Sequence, residues 1–154
     1  MKYYLAYGSN LSLSQMSYRC PHAVPVAKGF IEGYRLKYKG SHTGSYLTIE
    51  PEEGCSVPVV VWIISPEDEA NLDRYEGCPR FYYKKTLPVT VEPLFKRRRY
   101  EIKALVYIMH EDHLCGVPAN RYVATCAEGY ERFGLPLECL DEAYRYTLDH
   151  LGEA

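Results

Sequence analysis

Two stretches of the sequence hold residue types that could do chemistry on a small polar molecule, and the first lies near the N-terminus. Tyr7-Gly8-Ser9-Asn10-Leu11 follows the apolar run Tyr3–Ala6 and precedes Ser12, which has capping-box spacing to Gln15. A strand, a tight turn and a helix start would bring together backbone N–H groups that lack an intrahelical partner, and such groups suit a carboxylate or a polarised carbonyl oxygen. The pattern predicts an oxygen-binding turn, although Gly, Ser and Asn are also common in ordinary loops.

The second stretch ends in Glu76, which comes just before Gly77-Cys78-Pro79. Ser65 is a good N-cap and Pro66 fits the first helical position, so a helix is predicted over Ser65–Tyr75. A carboxylate at a helix C-terminus faces the negative end of the helix dipole, so a stabilising role is not expected. If this carboxyl is buried among aromatic groups, its pKa rises and it can exchange a proton near neutral pH. The alternative is a solvent-facing glutamate on a frayed last turn.

Other candidate constellations are weaker. Ser9 as an acyl nucleophile would need a base, but no histidine is near it in sequence and the context is not GxSxG. His110 and His113 lie beside Cys115 but lack HExxH spacing, so that stretch is interpreted as a polar loop and not as a metal site. The sequence contains neither a P-loop nor GxGxxG. We therefore predict an activity without metal or cofactor.

Composition indicates a small globular protein without a charged partner. The 154 residues are expected to form one domain, residues 1–154, and the net charge of −2 provides no attraction to nucleic acid or to an anionic membrane. The single basic run, Lys96–Arg99, is interpreted as a solvated connection between strands. No apolar run reaches transmembrane length and no signal-peptide pattern opens the sequence, so a cytoplasmic location is predicted. The six cysteines, none in a CxxC pair, are then expected to be reduced.

Many strands precede most of the predicted helices, which favours an α+β fold. Residues 23–39 are predicted to form two strands broken near Glu32-Gly33, and Ser45–Glu50 a further strand closed by Pro51–Gly54. Val57–Ile64 has the continuous apolar character of a strand covered on both faces. The remaining predictions are strands over Tyr82–Val91 and Tyr100–Met109, and two C-terminal helices with apolar stripes at Tyr122, Cys126, Tyr130 and Phe133 and at Leu137, Leu140, Tyr144, Leu148 and Leu151.

In their order and spacing these features resemble the γ-glutamylcyclotransferase family. The resemblance is carried by the Tyr7–Leu11 turn, by Glu76-Gly77 after Leu72-Asp73-Arg74-Tyr75, and by Phe133-Gly134-Leu135-Pro136-Leu137-Glu138 after Tyr122. Leu47-Thr48-Ile49, Val59–Trp62 and Val106-Tyr107 are similar to the family's strands. Cys139 departs from the pattern, because family members often carry an aromatic residue there.

The resemblance implies a small mixed β-barrel-like fold with flanking and C-terminal helices, whose cavity holds a γ-glutamyl group. It implies that Glu76 is the catalytic acid/base and that Tyr7, Gly8, Ser9, Asn10 and Leu11 bind the substrate. Tyr82 or Tyr83 and Tyr122 would be further substrate-binding residues. The implied reaction, which belongs to glutathione metabolism, cyclises a γ-glutamyl amide to 5-oxoproline and needs neither metal nor cofactor.

Three questions stay open at the level of the sequence. The released group could be an amino acid, or an amine as in ε-linked γ-glutamyl-lysine isopeptides. The fold could instead serve as a non-catalytic small-molecule binding module, and a metal or serine hydrolase would release glutamate in place of 5-oxoproline. The sequence does not distinguish a monomer from a homodimer.

Overall fold

A computed structural model describes residues 1–41 and 43–154. Within these residues, the strands and helices follow one another in the order that the apolar patterns indicate, and two of the four α-helices lie at the C-terminal end. The elements are β1 Lys2–Ala6, a 3₁₀ turn Ser9–Leu11, α1 Leu13–Arg19, β2 Val24–Ser41, β3 Gly44–Ile64, α2 Pro66–Tyr75, β4 Tyr82–Pro93, β5 Tyr100–Met109, β6 Leu114–Cys115, α3 Asn120–Phe133 and α4 Glu138–Asp149.

Five strands close into a barrel in the order β3-β1-β5-β4-β2, and pairing of β2 with β3 completes the ring. The pair β1–β5 is parallel, with Tyr4 opposite Leu105, whereas the other pairs are antiparallel. The short β6 extends the sheet beyond the ring by pairing with the end of β2. The α+β, barrel-like fold with flanking and C-terminal helices is therefore confirmed.

The strand predicted at Val57–Ile64 forms the centre of the core. Val59, Val60 and Val61 are fully buried, although successive residues of a strand point to opposite faces. One cover is α3, since Trp62 packs edge-on against Phe133 with ring centroids 6.3 Å apart. The continuous apolar run thus marks a strand that is covered on both faces, as predicted.

The predicted interruptions at Glu32-Gly33 and at Pro51–Gly54 are wrong, because β2 and β3 run through them as one long hairpin. Glu32 pairs with Ser56 and Tyr34 with Pro51, so residues 52–55 of β3 lie opposite the single residue Gly33. This bulge absorbs the extra residues, and two glycines inside it take positive φ angles of 77° at Gly33 and 85° at Gly54. The residues predicted to end strands instead form an irregularity inside one continuous pair of strands.

The local signals for α2 are confirmed in detail. Ser65 accepts a hydrogen bond from the Asp68 N–H at 3.1 Å, and Asp68 accepts one from the Ser65 N–H at 3.0 Å, which completes a capping box. The helix ends at Tyr75, and Glu76 is its C-cap residue. The helix start and end therefore fix where the Glu76 carboxyl leaves the chain.

The C-terminal helices cover the barrel, but the second apolar stripe differs from the prediction. Cys126 and Tyr130 of α3 are fully buried, as expected. On α4 the buried residues are Leu140, Ala143 and Thr147, whereas Leu148 is 46% exposed and Leu151, beyond the helix, is 50% exposed. The hydroxyl of Thr147 accepts a hydrogen bond from the Tyr38 N–H at 3.1 Å. The buried face of α4 therefore includes a polar contact to β2 as well as apolar side chains.

Surface features agree with the composition. The basic run Lys96–Arg99 is exposed in the connection between β4 and β5. All six cysteines are unpaired thiols. None of the helices found in residues 1–41 and 43–154 combines the length and the apolar character needed to cross a membrane.

Candidate active site

A cavity of about 260 Å³ lies where the end of β1, the end of α2 and the start of β4 meet. Its wall is rich in aromatic residues, and Glu76 contributes the one charged side chain among the described lining residues. The lining consists of Tyr4, Leu5, Tyr7, Gly8, Ser9, Asn10, Thr43, Tyr46, Leu47, Tyr75, Glu76, Phe81, Tyr82, Tyr107 and Tyr122.

The predicted oxygen-binding turn forms one side of this cavity. Within the turn, the Leu11 N–H donates to the Gly8 carbonyl at 3.1 Å. The N–H groups of Ser9 and Asn10 donate to no acceptor among the residues described. Because these groups begin a 3₁₀ turn, they have no partner in it and are available to a ligand.

Side chains around the turn hold it in place. The buried Asn10 side chain donates to the Tyr4 hydroxyl at 2.8 Å, so its amide is committed to the fold. The Tyr7 hydroxyl donates to the Tyr107 carbonyl at 2.7 Å, and the Tyr7 carbonyl accepts from Tyr130 at 2.9 Å. Hydrogen bonds therefore fix the turn to β5 and to α3. The groups of the turn that remain for a ligand are mainly backbone N–H groups.

Gly8 lines the cavity, whereas Leu11 lies behind the turn. A Cβ on Gly8 would lie 3.2 Å from the Tyr122 hydroxyl and 3.6 Å from Leu47, so this position leaves little room for a side chain beside the cavity. Leu11 is fully buried but does not line the cavity, since it packs against Gly129 of α3. Leu11 thus supports the turn from behind.

Glu76 sits in the cavity wall. Its N–H continues α2 by donating to the Leu72 carbonyl at 2.8 Å. Within residues 1–41 and 43–154 its carboxylate has neither a hydrogen bond nor an ion pair. Burial raises the pKa of this carboxyl to about 7, against a smaller opposing effect of the Arg19 guanidinium. A carboxyl with these properties takes up and releases a proton near neutral pH.

This shift predicts how stability depends on pH. An exposed glutamate of the unfolded chain releases its proton near 4.5, whereas folded Glu76 releases it near 7. Between these values the folded protein binds more protons, so its free energy of unfolding falls as pH rises. Glu76→Gln removes this cost and is expected to be more stable than wild type at pH 8, by at most about 3 kcal/mol.

Urea unfolding at pH 5 and pH 8 measures this difference, which should shrink towards the lower pH. The control is Glu128→Gln, since Glu128 is an exposed glutamate of α3. A stability difference between wild type and Glu76→Gln that is the same at both pH values would contradict the raised pKa of this carboxyl.

Adjacent tyrosines at the start of β4 face opposite sides. Tyr82 is buried, lines the cavity and donates to the Leu47 carbonyl at 2.8 Å. Tyr83 lies outside the cavity lining and donates to the Glu111 carboxylate at 2.6 Å. Tyr122 also lines the cavity, and its hydroxyl accepts from the Leu47 N–H at 3.0 Å. Of the two alternatives, Tyr82 is the residue that lines the cavity.

These positions predict unequal effects of removing the two hydroxyls. Tyr82→Phe leaves the buried Leu47 carbonyl without its donor and is expected to cost about 1–3 kcal/mol of stability and to lower kcat/KM about tenfold or more. Tyr83→Phe, the matched control on the outer face, is expected to change kcat/KM by less than about twofold. Steady-state kinetics with urea unfolding tests the pair. Equal effects of the two substitutions on kcat/KM would contradict the prediction that the tyrosine lining the cavity matters more for activity.

Several lining residues carry no signal in the sequence. Tyr4, Tyr46, Tyr75, Phe81 and Tyr107 come together only when the barrel closes. Tyr4 and Tyr107 make an edge contact with ring centroids 5.9 Å apart, and the Tyr46 centroid lies 5.3 Å from that of Tyr122 and 6.3 Å from that of Phe81. Among 16 tyrosines, nothing local marks those that reach the cavity.

Among the described residues, Ser9 has no neighbouring histidine, and His110 and His113 make contacts other than metal ligation. The Ser9 hydroxyl accepts a hydrogen bond from Arg19 at 3.4 Å, and no histidine is among the described lining residues. His110 contacts the Pro79 carbonyl through Nε2 at 2.7 Å, and the His113 ring packs on Phe81. No group of three or more His, Cys, Asp or Glu in the described part of the chain is arranged to hold a metal ion.

Comparison with known proteins relates this geometry to a family. The family described as "Gamma-glutamyl cyclotransferase, AIG2-like" matches residues 4–133. Gamma-glutamylcyclotransferase of Bos taurus is 30% identical over 88% of this chain and 73% of its own length, and that of Homo sapiens is 29% identical over the same shares. A solved structure of a gamma-glutamyl cyclotransferase superposes with a TM-score of 0.76 at 25% identity, covering 99% of this chain and 89% of the other.

The matched segment contains both the turn and Glu76, and it ends with α3, whose residues hold the turn. The sequence relationship and the fold point to the same family. This chain belongs to the gamma-glutamyl cyclotransferase, AIG2-like family.

Proposed function

We propose that this protein cyclises a γ-glutamyl amide to 5-oxoproline, releasing an amino acid or an amine, with Glu76 as the general acid and base. The observation that carries the proposal is a carboxyl with a pKa of about 7 in the wall of a cavity that is also lined by Ser9 and Asn10, whose N–H groups have no acceptor among the described residues. Family membership supports the same activity.

The reaction needs a base before it needs an acid. The α-ammonium of the substrate gives a proton to Glu76, and the free amine then attacks the γ-carbonyl carbon of the same molecule. A new C–N bond closes the five-membered ring, and the original amide C–N bond breaks. Glu76 returns this proton to the leaving nitrogen. The attacking nitrogen loses a second proton as it becomes the lactam N–H, and Glu76 passes this proton to the departing amine, which leaves as an ammonium. Protons and electron pairs then balance without water or an added cofactor.

Negative charge develops on the γ-carbonyl oxygen while the ring closes. The N–H groups of Ser9 and Asn10 are the donors that we assign to this oxygen, because the Leu11 N–H is already bonded to Gly8. Tyr7 and Tyr82 donate their hydroxyl protons to backbone carbonyls, so they shape the cavity and do not bind the oxyanion. Tyr122 accepts from Leu47, and we assign its remaining proton to a substrate oxygen.

The lining also bears on the leaving group. Apart from the Glu76 carboxyl, the described lining residues are uncharged, so none of their side chains offers a cation to the carboxylate of a leaving amino acid. The rings of Tyr46 and Phe81 instead provide an apolar wall. This favours γ-glutamyl amines, the second candidate, over γ-glutamyl amino acids with a charged leaving group.

We also propose a cytoplasmic location. The support is the presence of six unpaired cysteines, which is typical of proteins in reducing compartments. Recovery of the native protein from a secreted fraction with paired cysteines would contradict this.

The function is tested by incubating the purified protein with a panel of γ-glutamyl substrates and quantifying 5-oxoproline and glutamate separately. The panel contains glutathione, dipeptides with small and aromatic α-amino acids, simple alkyl and aromatic amides, and ε-linked γ-glutamyl-lysine. A parallel series contains a chelator. We expect 5-oxoproline, unaffected by chelation, with uncharged leaving amines turned over best.

Each alternative predicts a different result. Glutamate as the product would show a hydrolase and would require a new role for Glu76. Binding of the panel compounds without turnover would favour the non-catalytic binding module. Preference for leaving amino acids would leave the reaction in place and overturn the inference about the leaving group alone.

A further inference from the structure

The last residue of α1, Arg19, connects the two halves of the candidate site from outside the cavity. Its Nη1 donates to the Asn10 side-chain oxygen and, at 3.4 Å, to the Ser9 hydroxyl. Its guanidinium lies over the Tyr75 ring, with Cζ 3.3 Å from the ring centroid. Tyr75 ends α2 and directly precedes Glu76, so one side chain contacts both the turn and the residue next to the carboxyl.

The backbone of Arg19 is held as well. Asn71 of α2 donates to the Arg19 carbonyl at 3.0 Å, and the neighbouring Cys20 thiol lies 3.7 Å from the Asp68 carbonyl. The end of α1 is thereby fixed to two turns of α2. The guanidinium consequently has a defined position and is not a freely moving surface charge.

Among the described residues, the titratable groups that act on Glu76 from the surrounding elements are otherwise uncharged. They are Tyr4 and Tyr7 from β1 and the turn, Tyr75 and Cys78 beside Glu76, and Tyr82 from β4. Burial raises the pKa of each of these phenols and of the Cys78 thiol, so all stay protonated at neutral pH. Within residues 1–41 and 43–154, Arg19 is the cation that acts on Glu76.

We propose that Arg19 is a positioning residue of this site, which ties the Ser9-Asn10 turn to the end of α2 and supplies the positive charge facing Glu76. The inference rests on the proposed function for its catalytic consequence, but its electrostatic part concerns Glu76 whatever the reaction. Arginine suits both tasks, because its planar guanidinium can stack on Tyr75 while its N–H groups reach two acceptors.

Lysine can supply the positive charge of Arg19 but not its contacts to the turn and to Tyr75, so substitutions can separate the two roles. Arg19→Lys keeps the charge but loses the planar stack and the second contact. Arg19→Gln loses the charge and the stack together. Arg74→Gln is the matched control, since Arg74 lies two residues before Glu76 on the exposed side of α2 and bonds to Asn71.

The first measurement is an NMR titration of the Glu76 side-chain carboxyl carbon in wild type and the three variants. It does not depend on turnover. For Arg19→Gln we expect the Glu76 midpoint to move up by about half a unit to one unit, because an attractive charge is removed. In Arg19→Lys and Arg74→Gln the midpoint should stay within about 0.3 units of wild type.

The second measurement is kcat and KM across pH on the best substrate of the panel. Arg19→Gln is expected to shift the acid limb of kcat/KM by the same amount as the NMR midpoint. Both Arg19 variants are expected to lower kcat about tenfold or more, because Ser9 and Asn10 are no longer held together. Thermal unfolding of each variant separates these effects from a loss of folded protein.

An unmoved Glu76 midpoint in Arg19→Gln, or full activity in both Arg19 variants, would overturn the inference. So would a loss of activity that only follows the unfolded fraction. Absence of 5-oxoproline with wild type would instead count against the proposed function, while the titration would still decide whether Arg19 acts on Glu76.

Discussion

Glu76→Gln is expected to lower kcat/KM for 5-oxoproline formation by about 100- to 10,000-fold, the usual contribution of a general acid and base. The amide has the shape of the carboxyl but cannot take a proton from the α-ammonium or return one to the leaving nitrogen. Substrate binding should change by only a few-fold, because the proposed oxygen contacts are backbone N–H groups of the turn. Steady-state kinetics and calorimetric binding to the variant measure the two effects.

Stability cannot explain this expected loss. Glu76→Gln removes a carboxyl that is costly to ionise in the cavity, so the variant should be at least as stable as wild type at the assay pH. The same pKa predicts the pH profile of wild type, in which kcat/KM rises up to about pH 7 and falls about tenfold for each unit below it. Glu128→Gln, on the exposed face of α3, should leave kinetics and pH profile unchanged.

The role of Glu76 would be contradicted if Glu76→Gln kept more than about a tenth of the wild-type activity, since that residual rate exceeds what loss of a general base allows. A wild-type acid limb well below pH 6 would also conflict with it, because the group that titrates would then not be the Glu76 carboxyl. Either result would direct attention to the substrate amine or to a tyrosine of the cavity.

The parts of this site that the sequence predicts are those with a local cause. Ser65 and Pro66 define the start of α2, so the position of Glu76 follows from helix length alone. The Gly8–Asn10 turn is marked by its residue types between a buried strand and the Ser12 cap, which accepts from the Gln15 N–H. These signals act over a few residues and do not depend on the rest of the fold.

The parts that sequence reasoning misses depend on long-range closure. Tyr4 and Tyr107 reach the cavity because β1 and β5 are neighbours in the ring, a pairing between residues about a hundred positions apart. Arg19 has no motif of its own, and its place follows from packing α1 on α2. Gly33 and Gly54 are predicted as strand ends for a similar reason, since only the paired strand shows that they lie in a bulge.

The turn also depends on the contact between Leu11 and Gly129 of α3, and Gly129→Ala is expected to disturb this contact. A Cβ at this position would lie 2.4 Å from the Leu11 Cβ and 2.8 Å from the Leu11 carbonyl carbon. The second contact is with backbone, so either α3 or the turn must move. Alanine inside a helix usually stabilises it by about 1 kcal/mol relative to glycine, but overpacking costs about 1–3 kcal/mol or more. We expect a net loss of stability, measured by urea unfolding.

The loss of activity should exceed the loss of folded protein. Tyr130, the next residue of α3, donates to the Tyr7 carbonyl, so displacement of this helix moves the turn from both ends. A shift of about 1 Å at the Ser9 and Asn10 N–H groups is enough to lower kcat up to about a hundredfold. Glu128→Ala, an exposed substitution to alanine on the same helix, introduces no clash and should keep full activity. A Gly129→Ala protein that is more stable and fully active would show that α3 does not set the geometry of the turn.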